Sequence, residues 1–180
     1  MSDWKLISTA NPSGAANASF TALTGYKIFK FVFIDVNPAT DTVDFTFQVN
    51  ASGQTGFNET MTTTTFRAYH READTAAVLE YDIYKDQAQG TGYQVLSYHI
   101  GNAADECVAG ELHLFNPAST TYVKHFYART NCTLGGANPQ SQDYYTAGYI
   151  NVTAAITEID FKMSSGNFDG TIKQYGLVAG

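Results

Sequence analysis

The chain has 180 residues, 17 acidic side chains against 10 Lys and Arg for a formal charge of −7, and 12 Tyr, 12 Phe and 22 Thr. A chain of this length sustains one core without staples, and so many aromatics exclude a disordered segment. The acidic balance and the scatter of the few cations exclude a surface that tracks nucleic-acid phosphates, which depends on clustered Lys and Arg.

Thr, Tyr and Phe suit a pleated, half-buried surface, whereas long surface helices want Glu, Lys, Arg, Gln and Leu. The composition therefore reads all-β. In chain order, Met1-Ser2-Asp3-Trp4-Lys5 shows no basic region followed by an apolar run. No 18-residue apolar stretch occurs anywhere, so neither a signal peptide nor a membrane span is expected. Strands are predicted at 4–9 and 19–23, with Asn11-Pro12-Ser13-Gly14 as a turn between them. Residues 26–36 read YKIFKFVFIDV, a run that suggests a core strand covered on both faces for part of its length. At 42–50, Val43, Phe45, Phe47 and Val49 alternate with Asp44, Thr46 and Gln48, which predicts one dry and one wet face. Asn37-Pro38-Ala39-Thr40-Asp41 lies between these two runs, and the pair is expected to form a hairpin.

Further strands are predicted at 62–70, 77–84, 93–100, 111–115, 122–130, 144–153, 157–163 and 170–177. Many short strands separated by Gly, Asn and Ser describe a sandwich or barrel. Only 67–79 and 151–158 leave room for a short helix. A single domain over 1–180, made of two packed antiparallel sheets, is the economical reading. The one run Thr62-Thr63-Thr64-Thr65 fits an exposed sheet face; an ice-binding surface would need such runs repeated in register.

Chemistry-bearing patterns are sparse. Nucleophile elbows, phosphate-cradling glycine loops and paired Cys-x-x-Cys spacings are all missing. Cys107 and Cys132 are expected as free, mostly buried thiols. The acids of the pairs Glu80/Asp82 and Glu158/Asp160 are expected on the solvent face of their strands. His99, His113 and His125 fall in three consecutive predicted strands, so a row across one sheet would be geometrically available; a metal would need Glu111 or His99 as a third ligand. No catalytic residue, metal site or cofactor is assigned, and no enzyme is expected. Trp4, Tyr144, Tyr145 and Tyr149 are the candidate interface or glycan contacts, because Tyr and Trp combine a flat apolar ring with a polar tip. Loops at 50–58 and 134–143 are further candidate contact segments.

Two stretches carry a resemblance. Residues 156–177 read ITEIDFKMSSGNFDGTIKQYGL, in which Ile159, Phe161 and Met163 alternate, Ser164 to Asp169 turns the chain, and a second strand returns. The first part of the chain has a Trp4-Lys-Leu-Ile start, a Ser/Ala-rich turn, Ser19-Phe20, then Gly25-Tyr26 and Asn37-Pro38-Ala39-Thr40-Asp41. Together these stretches cover about half the chain and resemble virion structural proteins of tailed phages, particularly those of marine and cyanobacterial viruses. The resemblance implies a jelly-roll-like module of the capsid exterior, made in the host cytoplasm. A decoration or cement protein that stabilises the shell is the expectation. Its partners would be the major capsid protein and its own copies, with a trimer favoured. A receptor-binding fibre tip that engages a host-surface glycan is the alternative, and a small polysaccharide-active or metal-dependent enzyme is a second.

Overall fold

The computed structural model describes residues 3–134 and 138–178. Thirteen strands follow in chain order: β1 (Trp4–Ala10), β2 (Ala18–Phe20), β3 (Ile28–Pro38), β4 (Val43–Ala51), β5 (Met61–Arg71), β6 (Ala77–Tyr81), β7 (Ala88–Gly90), β8 (Gln94–Ile100), β9 (Val108–Phe115), β10 (Lys124–Leu134), β11 (Gln140–Ile150), β12 (Ile156–Met163) and β13 (Phe168–Leu177). Among the described residues there is no helix, so 67–79 is strand and turn, and 151–155 is irregular chain leading into β12. Period-two burial shows why. Along β10, Phe126, Ala128, Thr130 and Cys132 are buried while His125, Tyr127, Arg129 and Asn131 are exposed.

All pairings are antiparallel. A nine-stranded sheet runs β1-β13-β3-β9-β10-β11-β5-β6, with β7 also paired to β5, and a four-stranded sheet runs β2-β12-β4-β8. The first four strands alternate between the sheets. The expected hairpin of β3 and β4 therefore does not form: the turn at 37–41 carries the chain from one sheet to the other. The turn at Ser164 to Asp169 does the same between β12 and β13. Pairing is nested, β1 with β13, β2 with β12, β3 with β9 and β4 with β8. Two excursions, β5 to β7 and the β10–β11 hairpin, pair with each other through β11 and β5 and widen the larger sheet. Near the other end, β3 bulges between Phe33 and Val36, with Asp35 at φ 51°. Gly170 crosses this bulge at φ 139°, and a Cβ there would lie 2.9 Å from the Asp35 carbonyl oxygen.

The interior has two parts. Between β3, β4, β12 and β13 it is aromatic: Phe161 meets Phe20, Phe31, Phe33, Phe45 and Phe47 at ring-centroid distances of 5.3–6.4 Å. Under the widened part polar side chains are set among Met61, Leu96, Phe126 and Ile150. Thr130 and Thr146 hydroxyls and the Gln142 amide donate to the carbonyls of Leu96, Val95 and Tyr98 on β8. Since β8 is the terminal strand of its sheet, these side chains satisfy an edge that would otherwise be buried with open carbonyls. Lys124, fully buried at the start of β10, donates to the carbonyls of Val152, Thr153 and Ala154 and pins the irregular chain before β12.

Some expected wet positions are dry. Asp44, Thr46 and Gln48 of β4 are buried, because the chain segments around Glu59, Lys85 and Thr91 fold over that face and supply partners. Asp82 and Asp160 are buried as well, so they do not mark a solvent face. Asp82 accepts from Tyr144, and Asp160 accepts from Asn17, Ser19 and Tyr93. Residues 26–36 are buried on one face only; Lys30, Val32 and Ile34 on the other are half-buried.

Candidate functional site

The outer face of the nine-stranded sheet is built by register. Across β3, β9, β10, β11 and β5 one row reads Lys30, His113, Tyr127, Ala147, Thr64. Two residues further on, the next row reads Val32, Glu111, Arg129, Tyr145, Phe66 and ends on Tyr81 of β6. His125, Tyr149 and Thr62 form the row on one side, and Asn131, Asp143, Ala68 and Leu79 the row on the other.

Neighbours in these rows stack sideways. Tyr145 lies parallel to Phe66 at 4.6 Å, with the Arg129 guanidinium 5.0 Å from the Tyr145 ring. His113 lies parallel to Tyr127 at 4.7 Å and meets Trp4 edge-on at 5.7 Å, while Lys30 Nζ sits 4.6 Å from the Trp4 ring. Such contacts contribute about 0.5–1.5 kcal/mol each beyond area burial. The charges are paired too. Arg129 donates through Nε and Nη to both Asp143 carboxylate oxygens, the nearest at 2.8 Å, and Glu111 lies 3.0 Å from His113 Nε2 and 3.8 Å from Lys30.

Between the ring walls the face is hollowed. A shallow depression of about 570 Å³ is lined by Val32, Glu111, Arg129, Asn131 and Asp143. It adjoins, at Glu111 and Arg129, one of about 260 Å³ between Phe66, Tyr127, Tyr145 and Ala147. That in turn adjoins, at Thr64, Tyr127 and Ala147, one of about 440 Å³ bounded by Phe115, His125 and Tyr149. A fourth, of about 310 Å³, meets the first at Asp143. Ala147, the outer-face residue of β11 at this point, keeps the floor low. A Cβ on Gly148 would lie 2.5 Å from the Thr62 carbonyl oxygen, so glycine there lets β11 and β5 pair closely.

The β6 edge is the second unpartnered surface. Leu79 is 74% exposed, Ile83 63% and Tyr84 86%, and Tyr81 beside them is half open to solvent. Among the described residues no strand pairs with the outer side of β6, and its sequence Ala-Val-Leu-Glu-Tyr carries neither the Lys nor the Pro with which edges are usually blunted.

The sequence-predicted residues separate accordingly. Trp4 and Tyr149 lie on the outer face. Tyr145 does too, but its ring is covered on both sides by Phe66 and Arg129. Tyr144 is no contact residue: it is fully buried on the inner face, bonded to Asp82, and burial together with the Asp82 charge raises its pKa well above the usual phenol range. The residues expected as a loop at 134–143 are largely strand, Leu134 ending β10 and Gln140 opening β11, and 135–137 lie outside the described residues. His113 and His125 share the outer face, whereas His99 sits in the four-stranded sheet, so the three-histidine row does not form. Among the described residues no three of His, Cys, Asp and Glu gather into a group that could hold a metal ion. Both cysteines are free, Cys132 buried and Cys107 half-buried. Tyr127 and the 79–84 segment were missed. The alternation His125-Tyr127-Arg129 against Phe126-Ala128-Thr130 is the signal that would have found Tyr127. No protein family, curated protein or solved structure matches the chain.

Proposed function

We propose that this protein is a non-enzymatic structural component of a tailed-phage virion, a jelly-roll module that decorates and cements the capsid exterior. The apolar edge formed by Leu79, Tyr81, Ile83 and Tyr84 is the observation that carries the reading. Exposed apolar side chains at and just beyond an unblunted edge are what a subunit contact needs. Support for the jelly-roll comes from the nested pairing of β1 with β13, β2 with β12, β3 with β9 and β4 with β8, once the two excursions are set aside. The two stretches with virion-protein resemblance supply β1 and β2 at one end and β12 and β13 at the other, and these meet as neighbours.

The major capsid protein and further copies of the chain are the proposed partners, with a trimer as the working form. Cementing works by mass action: a protein that binds the assembled shell and not its free subunits shifts the balance toward the shell. Purified protein mixed with shells that lack it should bind saturably, at a fixed stoichiometry, and raise the temperature at which the shells disrupt. Ile83→Asp and Tyr84→Asp change exposed side chains only, so they should fold normally and bind weakly. Absence of wild-type binding at micromolar protein would overturn the reading.

A further inference from the structure

We infer that the hollowed outer face of the nine-stranded sheet binds a neutral polysaccharide in extended form, with Tyr127 as the stacking platform and the Arg129–Asp143 pair as the hydrogen-bonding clamp. One face of Tyr127 is covered by His113 at 4.7 Å. Its other face turns toward β11, where the register puts the small side chain of Ala147, and that space is part of the depressions shared with Thr64 and Tyr149. An aromatic ring with one open face beside a low floor accepts the C–H face of a sugar ring.

Shape selects an extended chain. The two depressions beside Tyr127 join along β11 from Tyr145 to Tyr149, roughly 14 Å at the rise of an antiparallel strand, with the Arg129–Tyr145–Phe66 stack between them and the two depressions that meet at Asp143. Tyr127 on β10 and Thr64 on β5 flank the slot two strand spacings apart, roughly 10 Å between backbones, which is too narrow once side chains are counted for a helix about 10–12 Å across. An extended peptide binds sheets by adding to a free edge, but β10, β11 and β5 are interior strands whose backbone groups are taken. A polyhydroxyl chain needs no backbone partner.

Charge selects a neutral one. Arg129 is paired with Asp143, and Glu111 with His113 and Lys30, so the trough offers several oriented donors and acceptors with little uncompensated charge. Carboxylate oxygens held by a guanidinium retain lone pairs for hydroxyl donors, and Asn131 and Thr64 add further polar groups along the walls.

This site is separate from the β6 edge, and its test is separable from the shell-binding test. Native gel electrophoresis of the full chain through gels containing dextran, mannan, xylan, galactan or the anionic alginate is the experiment. Retardation by at least one neutral polymer is expected, with retention weakened roughly tenfold or more in Tyr127→Ala and in Arg129→Ala. Tyr127→Phe should retain most of it, and Ile83→Asp should leave it unchanged. Far-UV circular dichroism and the melting temperature of each variant control for folding. No retardation in any gel, retardation by alginate alone, or equal retention in wild type and Tyr127→Ala would overturn the inference. So would loss of self-association, rather than of polysaccharide binding, in Tyr127→Ala, which would make the trough a subunit interface.

Discussion

The two faces of the nine-stranded sheet are built from the same strands, one residue apart, and they solve opposite problems. On the inner face the polar side chains reach across the sandwich: Thr130, Thr146 and Gln142 reach carbonyls of β8, and Lys124 reaches three carbonyls of the chain before β12. On the outer face the side chains satisfy one another along the rows, as in Arg129–Tyr145–Phe66 and Trp4–His113–Tyr127, and leave hollows above the floor. Inner-face contacts fix the fold. Outer-face contacts hold a surface in shape without being needed for the fold, so substitutions should divide sharply between the two.

The largest effect is expected at the aromatic hub. Phe161→Ala removes a fully buried ring from among Phe20, Phe31, Phe33, Phe45 and Phe47, which should cost about 3–5 kcal/mol and lower the melting temperature by about 10–15 °C in calorimetry. Next comes Lys124→Met, which keeps the apolar stem but leaves the carbonyls of Val152, Thr153 and Ala154 without their donor; about 3 kcal/mol should be lost in urea unfolding. Tyr145→Ala, on the other face of the same sheet, breaks the stacks with Phe66 and Arg129 and should cost only about 1 kcal/mol in the same measurement. A loss as large as that of Phe161→Ala would abolish the distinction between the faces.

The smallest effect is a rate. Burial pushes the Cys132 thiol up to about 11, while Cys107 is half-buried. At pH 8 a thiol reagent should therefore modify Cys107 first and reach Cys132 only on addition of denaturant, because the thiolate is the reactive form. Equal rates for both thiols would mean that the inner layer opens readily.

Much of this was legible in the chain and some was not. The alternation of Val43, Phe45, Phe47 and Val49 and of Ile159, Phe161 and Met163, with the Gly- and Asn-rich separators, was enough to read an all-β sandwich and most of its strands. Strand partners were not legible, because the β3–β9 and β13–β3 pairings join residues far apart in sequence; the expected β3–β4 hairpin failed for that reason. Tyr144 and Tyr145 show the limit for the site. Period two puts them on opposite faces, but Tyr144 shares its phase with Gln140, Gln142 and Thr146, a polar set that reads as exposed. It is buried because β8 and Asp82 offer partners that only the assembled fold brings near. Likewise Asp44, Thr46 and Gln48 read as a wet face until the segments around Glu59 and Lys85 cover them.

The proposed role turns on where the protein works, and the most direct measurement is an image reconstruction of the intact particle with the protein identified in it. The expected result is density for this sandwich in stoichiometric copies on the capsid exterior, with Leu79, Ile83 and Tyr84 covered by a neighbouring subunit. Absence of the protein from the particle, or its presence with that edge facing solvent, would contradict it.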